Sequence, residues 1–176
     1  MSEVTIQHVL GEALKMAHEQ VLEGTIEGVD NELANKQTSG KDNSIGSTYA
    51  HAVLAEDSIV NAMLKGGQPL NEEAWKDKTG VDKPMTMTDP EELARWYSTV
   101  HVDIPIVREY AKAVYAASAE FIQNADDDTL AKIVDFWGMK LDVATAFEAF
   151  VIGHCNSIAG EISALKGVAG LKGYPF

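Results

Sequence analysis

An all-α four-helix bundle is the fold this sequence predicts. Three observations carry that expectation. Four long segments place their apolar residues at helical spacing, polar capping residues stand at the heads of three of them, and one long crossover separates the second from the third. A chain of 176 residues is long enough for one domain with a substantial core, and that domain is expected to span residues 1–176.

The first helix is predicted from Thr5 to Leu22, where Ile6, Val9, Leu10, Ala13, Leu14, Ala17 and Val21 gather on one face. Gly24 weakens its continuation, and the polar stretch through Ser39 and Gly40 reads as a connection carrying at most a short helix. Ser44 is the N-cap expected for a second helix that runs to about Leu64 and stops at Gly66-Gly67. Residues 66–88, with Trp75 among Gly, Lys, Asp, Thr and Pro, form a connection of a length that is often functional or partly disordered. Asp89-Pro90-Glu91-Glu92 is a helix start. The Asp accepts an orphan N–H, proline loses nothing at the first position, and the glutamates face the positive end of the dipole. This third helix is predicted to about Asn124, with Pro105 kinking or interrupting it near His101 to Ile104. Asp127 or Asp128 is expected to cap a short turn, and Ile133 to Leu141 reads as extended chain or a small hairpin around Gly138. Asp142 is the expected cap of the last helix, Val143 to about Lys166, ended by Gly167.

The formal net charge is −13, and no Lys/Arg cluster is visible. An acidic chain repels nucleic-acid phosphates and anionic membrane surfaces, so neither partner is expected. Cys155 is the only cysteine, which rules out an intrachain disulfide framework. No apolar run approaches a membrane span and no secretory leader is apparent, so a cytoplasmic location is expected.

Two histidines fall on apolar helical faces. His51 shares its face with Leu54, Ala55 and Ser58; His154 shares its face with Ile158 and Glu161 at i+4 and i+7. Imidazole is the commonest neutral ligand for transition metals, and a bundle interior can bring such side chains together from facing helices. The alternative for each ring is a hydrogen-bonded core histidine. Glu56 and Asp57 diverge on their helix, so they do not form a glycosidase-type carboxylate pair; they read as a solvated face or a helix–helix ion pair. Cys155 follows His154 directly, and adjacent helical residues point about 100° apart, so the ring is not its base; a packing role is expected. His8 and His18 read as surface or boundary residues. No Glu-x-x-His pair, phosphate-cradling loop, Gly-x-Ser-x-Gly elbow or His-Glu-x-x-His occurs.

Three segments, in order, resemble the DinB/YfiT-like superfamily of bacterial four-helix bundles. They are Asn43-Ser-Ile-Gly-Ser-Thr-Tyr-Ala-His51 through Glu56-Asp57, then Trp137-Gly-Met-Lys-Leu-Asp-Val-Ala-Thr-Ala-Phe147, then His154 with Gly160-Glu161-Ile162 and the Gly167 to Pro175 tail. The resemblance implies an up-down-down-up bundle that pairs as a homodimer. It also implies a divalent ion held by one histidine of the second helix and two of the fourth, the latter spaced His-x3-His. His51 matches the first of these and His154 the second. The third position is Ile158, which has no donor atom. Glu161 or His101 is the conditional third ligand, and zinc, nickel or iron is expected to be weakly held or absent.

Two functions follow. The resemblance implies a metal-dependent transferase or hydrolase, with several relatives linked to thiol conjugation, in which a metal lowers a thiol pKa. Ile158 favours instead a non-catalytic bundle that binds a small apolar ligand or a protein partner in the former cleft. Metal content and a response of thermal stability to added metal discriminate between them.

Overall fold

The computed structural model describes residues 4–37, 43–86 and 89–176; Ser39 and Gly40 lie outside them. Thr5 accepts from the His8 backbone N–H and opens α1, Ile6–Lys15, which continues unbroken through a π-helical stretch, Met16–Leu22, into α2, Glu23–Ile26. Gly24 therefore does not end the helix. A Cβ there would sit 2.9 Å from the Pro175 ring, so the glycine lets the C-terminal tail close onto this helix. The connection carries α3, Asn31–Ala34. Asn31 Oδ1 accepts from the Ile104 N–H and Asn35 Oδ1 from the Val102 N–H, so this short helix holds a distant stretch of chain.

Ser44 and Ser47 form a reciprocal capping box that starts α4, Ile45–Asp57, continued by a π-helical stretch, Ser58–Leu64. Every residue of α4 except His51 is buried. A helix covered on all sides is the centre of the molecule, which is why a one-faced amphipathic pattern describes it poorly. The crossover carries a 3-10 turn, Leu70–Glu72.

Asp89 caps α5, Pro90–Thr99, with Pro90 in the first turn as expected. The predicted interruption is a complete break. Val102 pairs with Val81 in an isolated bridge, and Asp103 then caps α6, Ile104–Asn124, with Pro105 in its first turn. Asp126, one residue before the two aspartates expected to cap, accepts from Thr129 N–H and caps α7, Asp127–Ala131. Residues 133–142 form a hairpin of β1, Ile133–Phe136, and β2, Met139–Asp142, antiparallel with Ile133 opposite Asp142. The turn residues Trp137 and Gly138 both have positive φ, 51° and 87°, the combination a tight primed turn requires.

Asp142 caps α8, Val143–Phe147, and the helix runs on through a π-helical stretch, Glu148–Gly153, into α9, His154–Val168. The chain is thus mostly helical, with a two-stranded sheet added to the expected all-α class. The central helix α4 packs against α9 and α6, and α1 against α6. Tyr49, Val53, Tyr110, Phe147 and Ile162 lie in the core between them. Among the described residues no helix is long and apolar enough to cross a membrane.

Candidate functional site

The capping box fixes the phase of α4 and so aims its single incompletely buried residue, His51, toward α9. His154 opens α9 directly after a π-helical stretch, a local widening that recurs at functional sites. The two rings meet edge to face, with centroids 5.1 Å apart and planes at 81°. Two further side chains close on His51. The Tyr97 ring of α5 lies 5.3 Å away, centroid to centroid, and the Met85 Sδ of the crossover lies 3.3 Å from His51 Nδ1.

Burial, and secondarily the neighbouring His154 ring, lowers the His51 pKa to about 4. Burial lowers that of His154 as well, against the opposing charge of Glu56. Both imidazoles are therefore neutral at pH 7, the form that carries a free lone pair. The Tyr97 hydroxyl is held protonated, first by burial and then by the charge of Glu161.

Ile158, at the position where the resemblance places a third ligand, is buried with 3% exposure. Glu161 is exposed on the same helix, and its carboxylate acts on Tyr97. His101 is exposed too, and its backbone pairs with Asp82 in the non-helical stretch between α5 and α6. Among the described residues no third His, Cys, Asp or Glu completes a metal-holding group with the pair.

A second polar cluster lies deeper and includes Glu56 in the helix–helix pairing that was one of its two expected roles. His18, expected near the surface, is buried, and its Nε2 donates to Glu56 Oε2 at 2.9 Å. Ser118 Oγ donates to Glu56 Oε1 at 2.6 Å, and the His18 ring stacks on Tyr115 at 3.8 Å. Glu23 accepts from Tyr49, Tyr115 and Arg108 beside it. Glu56 is thus a buried helix–helix partner and not part of a solvated face. Asp57, fully buried, accepts from Asn61 Nδ2, from the backbone N–H groups of Leu70 and Asn71, and from the Tyr110 hydroxyl. Its role is to pin the crossover onto α4. Cys155 is buried with its Sγ toward Ala17 O at 3.4 Å, and burial raises its thiol pKa well above the usual range.

A groove of about 930 Å³ runs between α1 and α6 over this second cluster, lined by His18, Glu23, Arg108 and Tyr115 among others, and does not reach His51 or His154. Its volume alone would make it the default ligand site. The polar groups at its floor, however, satisfy one another, which is the pattern of a structural network. The histidine pair forms no such closed network among the described residues, its ring contacts being Met85 and Tyr97, and carries the stronger chemical case.

Sequence reasoning missed Met85 and Tyr97 as neighbours of His51. Met85 lies in an irregular stretch without periodicity. Tyr97 carries no motif of its own, and its approach to His51 depends on how α5 packs.

The comparisons agree with this architecture. A model of the DinB superfamily matches residues 16–157, a span that contains His51, His101 and His154 and ends one residue before Ile158. A conserved protein from Enterococcus faecalis has a similar structure, with a TM-score of 0.79 at 19% identity over 96% of this chain and 99% of that one. A Streptococcus pneumoniae protein gives 0.65 at 10% identity over 96% and 94%. An uncharacterised protein from Clostridium difficile 630 gives 0.63 at 12% identity over 94% and 98%. At these identities the likeness is one of fold. No curated protein matches the sequence. The matched span covers most of the chain: this protein belongs to the DinB superfamily.

Proposed function

We propose that this chain is a metal-binding protein of the DinB superfamily, of the metal-dependent transferase or hydrolase kind, whose ion is held by His51 and His154 without a third imidazole. One observation carries the reading: two neutral imidazoles from the two core-packed helices α4 and α9 meet with centroids 5.1 Å apart. Two rings on one tetrahedral ion, each with a metal–nitrogen bond of about 2.0–2.1 Å, place their centroids about 5 Å apart, the separation this pair already has. A bound divalent ion there would supply Lewis acidity and lower the pKa of a thiol or water beside it. The chain's own residues do the rest. Helix packing orients both rings, and the protonated Tyr97 hydroxyl is a hydrogen-bond donor beside them.

The same reading takes the four long helical runs as an up-down-down-up bundle with its crossover between the second and third, and the functional unit as a homodimer. Trp96, Tyr110 and Val114 of the third predicted helix are buried in the chain's own core and offer no surface for pairing.

Purification without chelator, followed by elemental analysis and a thermal melt with and without added zinc or nickel, tests the proposal. Bound metal near one ion per chain and a raised Tm are expected. No bound metal and no change in Tm would refute it. The buried Ile158 would then favour a non-catalytic bundle that takes a small apolar ligand or a protein partner at the same cleft.

A further inference from the structure

We infer that the site prefers monovalent copper, with the Met85 thioether as third ligand to His51 and His154; the inference rests on the metal-binding reading above. Three observations support it. First, among the described residues no additional His, Cys, Asp or Glu completes a metal-holding group with the pair, yet Met85 Sδ stands 3.3 Å from His51 Nδ1. Thioether sulfur is a soft donor that suits Cu(I) and serves zinc or nickel poorly.

Second, the donor set carries no charge. Two neutral imidazoles and a thioether leave a divalent ion with both charges uncompensated in a partly buried site, whereas a monovalent ion faces a much smaller desolvation cost. Glu56, whose charge reaches His154, is already engaged by His18 and Ser118, and Glu161 is exposed. Ile158, one turn beyond His154 on the same helix, is apolar and buried and offers no compensating charge.

Third, Met85 is held in place. Two residues before it, the Lys83 carbonyl accepts from the buried Trp96 indole at 3.0 Å, and the Lys83 ammonium donates to the Thr99 carbonyl. Earlier in the same segment, Val81 bridges to Val102, and Asp57 fixes the Leu70 and Asn71 backbone. The crossover is thus anchored at three points, and its thioether lies against the ring it would join in binding an ion.

Anaerobic titration of the purified, metal-free chain with Cu(I), against a coloured Cu(I) chelator, tests the inference. One Cu(I) per chain is expected, bound more tightly than Zn(II). Met85→Leu conserves volume at a partly buried position and should weaken Cu(I) by about tenfold or more while leaving Zn(II) unchanged. X-ray absorption of the Cu(I) form should show a sulfur scatterer that this variant loses. Cu(I) binding equal in wild type and Met85→Leu, with no sulfur scatterer, overturns the inference and leaves the histidine pair standing. Failure of the wild-type chain to bind either ion overturns both.

Discussion

Ile158→His is the most informative single substitution. Ile158 is 3% exposed and lies one helical turn beyond His154, so the new ring would share a face with the existing one. Without metal, the change removes a packed aliphatic side chain and buries a polar ring. Together these effects cost about 2–4 kcal/mol. For a chain of this size each kcal/mol moves Tm by about 2–4 °C, so the metal-free variant should melt roughly 4–16 °C below the wild type. A third nitrogen also turns a two-imidazole site into the three-ligand arrangement zinc favours. Zinc at about a thousand times its dissociation constant adds roughly 4 kcal/mol, enough to offset the loss. The assay is a pair of urea denaturation curves, with and without zinc, for wild type, Ile158→His and Ile158→Asn. The asparagine variant should be destabilised and show no added response to zinc. Destabilisation of Ile158→His without rescue by zinc would mean that position 158 does not face the His51–His154 pair.

Other consequences are equally concrete. Asp57→Ala strands four donors, two of them buried, and frees the crossover, so urea denaturation should show a loss of about 3–5 kcal/mol; a loss below about 1 kcal/mol would contradict the pinning role. His51 has a pKa of about 4 in the folded chain, against the ordinary 6.5 when unfolded, so between those values only the unfolded state takes up the proton. The resulting stability is full above pH 6.5 and falls toward pH 4 by up to about 3 kcal/mol; His51→Leu should remove that part of the pH dependence, and an unchanged slope in urea midpoints would refute it. Cys155 is buried with a raised pKa, so iodoacetamide at pH 8 should modify it only after unfolding; rapid labelling of the native chain would contradict its packing role.

The helix starts were legible because each cap is a local device. Ser44, Asp89 and Asp142 each satisfy backbone donors within three residues, so the sequence contains both partners. Asp126 shows the limit of that logic. Three aspartates in a row offer the same chemistry, and the start of α7 decides which one reaches Thr129 N–H. Gly24 reads as a stop until Pro175 is seen against it, a contact spanning most of the chain. The pairing of His51 with His154 needed the register between α4 and α9, which the family resemblance implied and helical periodicity alone could not fix. His18 with Glu56 depends on the same kind of register without any motif to announce it, and 38 residues separate the two. Met85 was the least legible, since it lies in irregular chain whose course is fixed by Asp57 and Trp96.

The central claim is that His51 and His154 hold one ion together, and imidazole nitrogen NMR tests it most directly. The chain has five histidines, so each ring can be followed separately. Adding one equivalent of zinc, or of Cu(I) without oxygen, should move the ring nitrogens of His51 and His154 and leave those of His8, His18 and His101 in place. No movement of either ring, or movement centred on His101 or His18, would contradict the account.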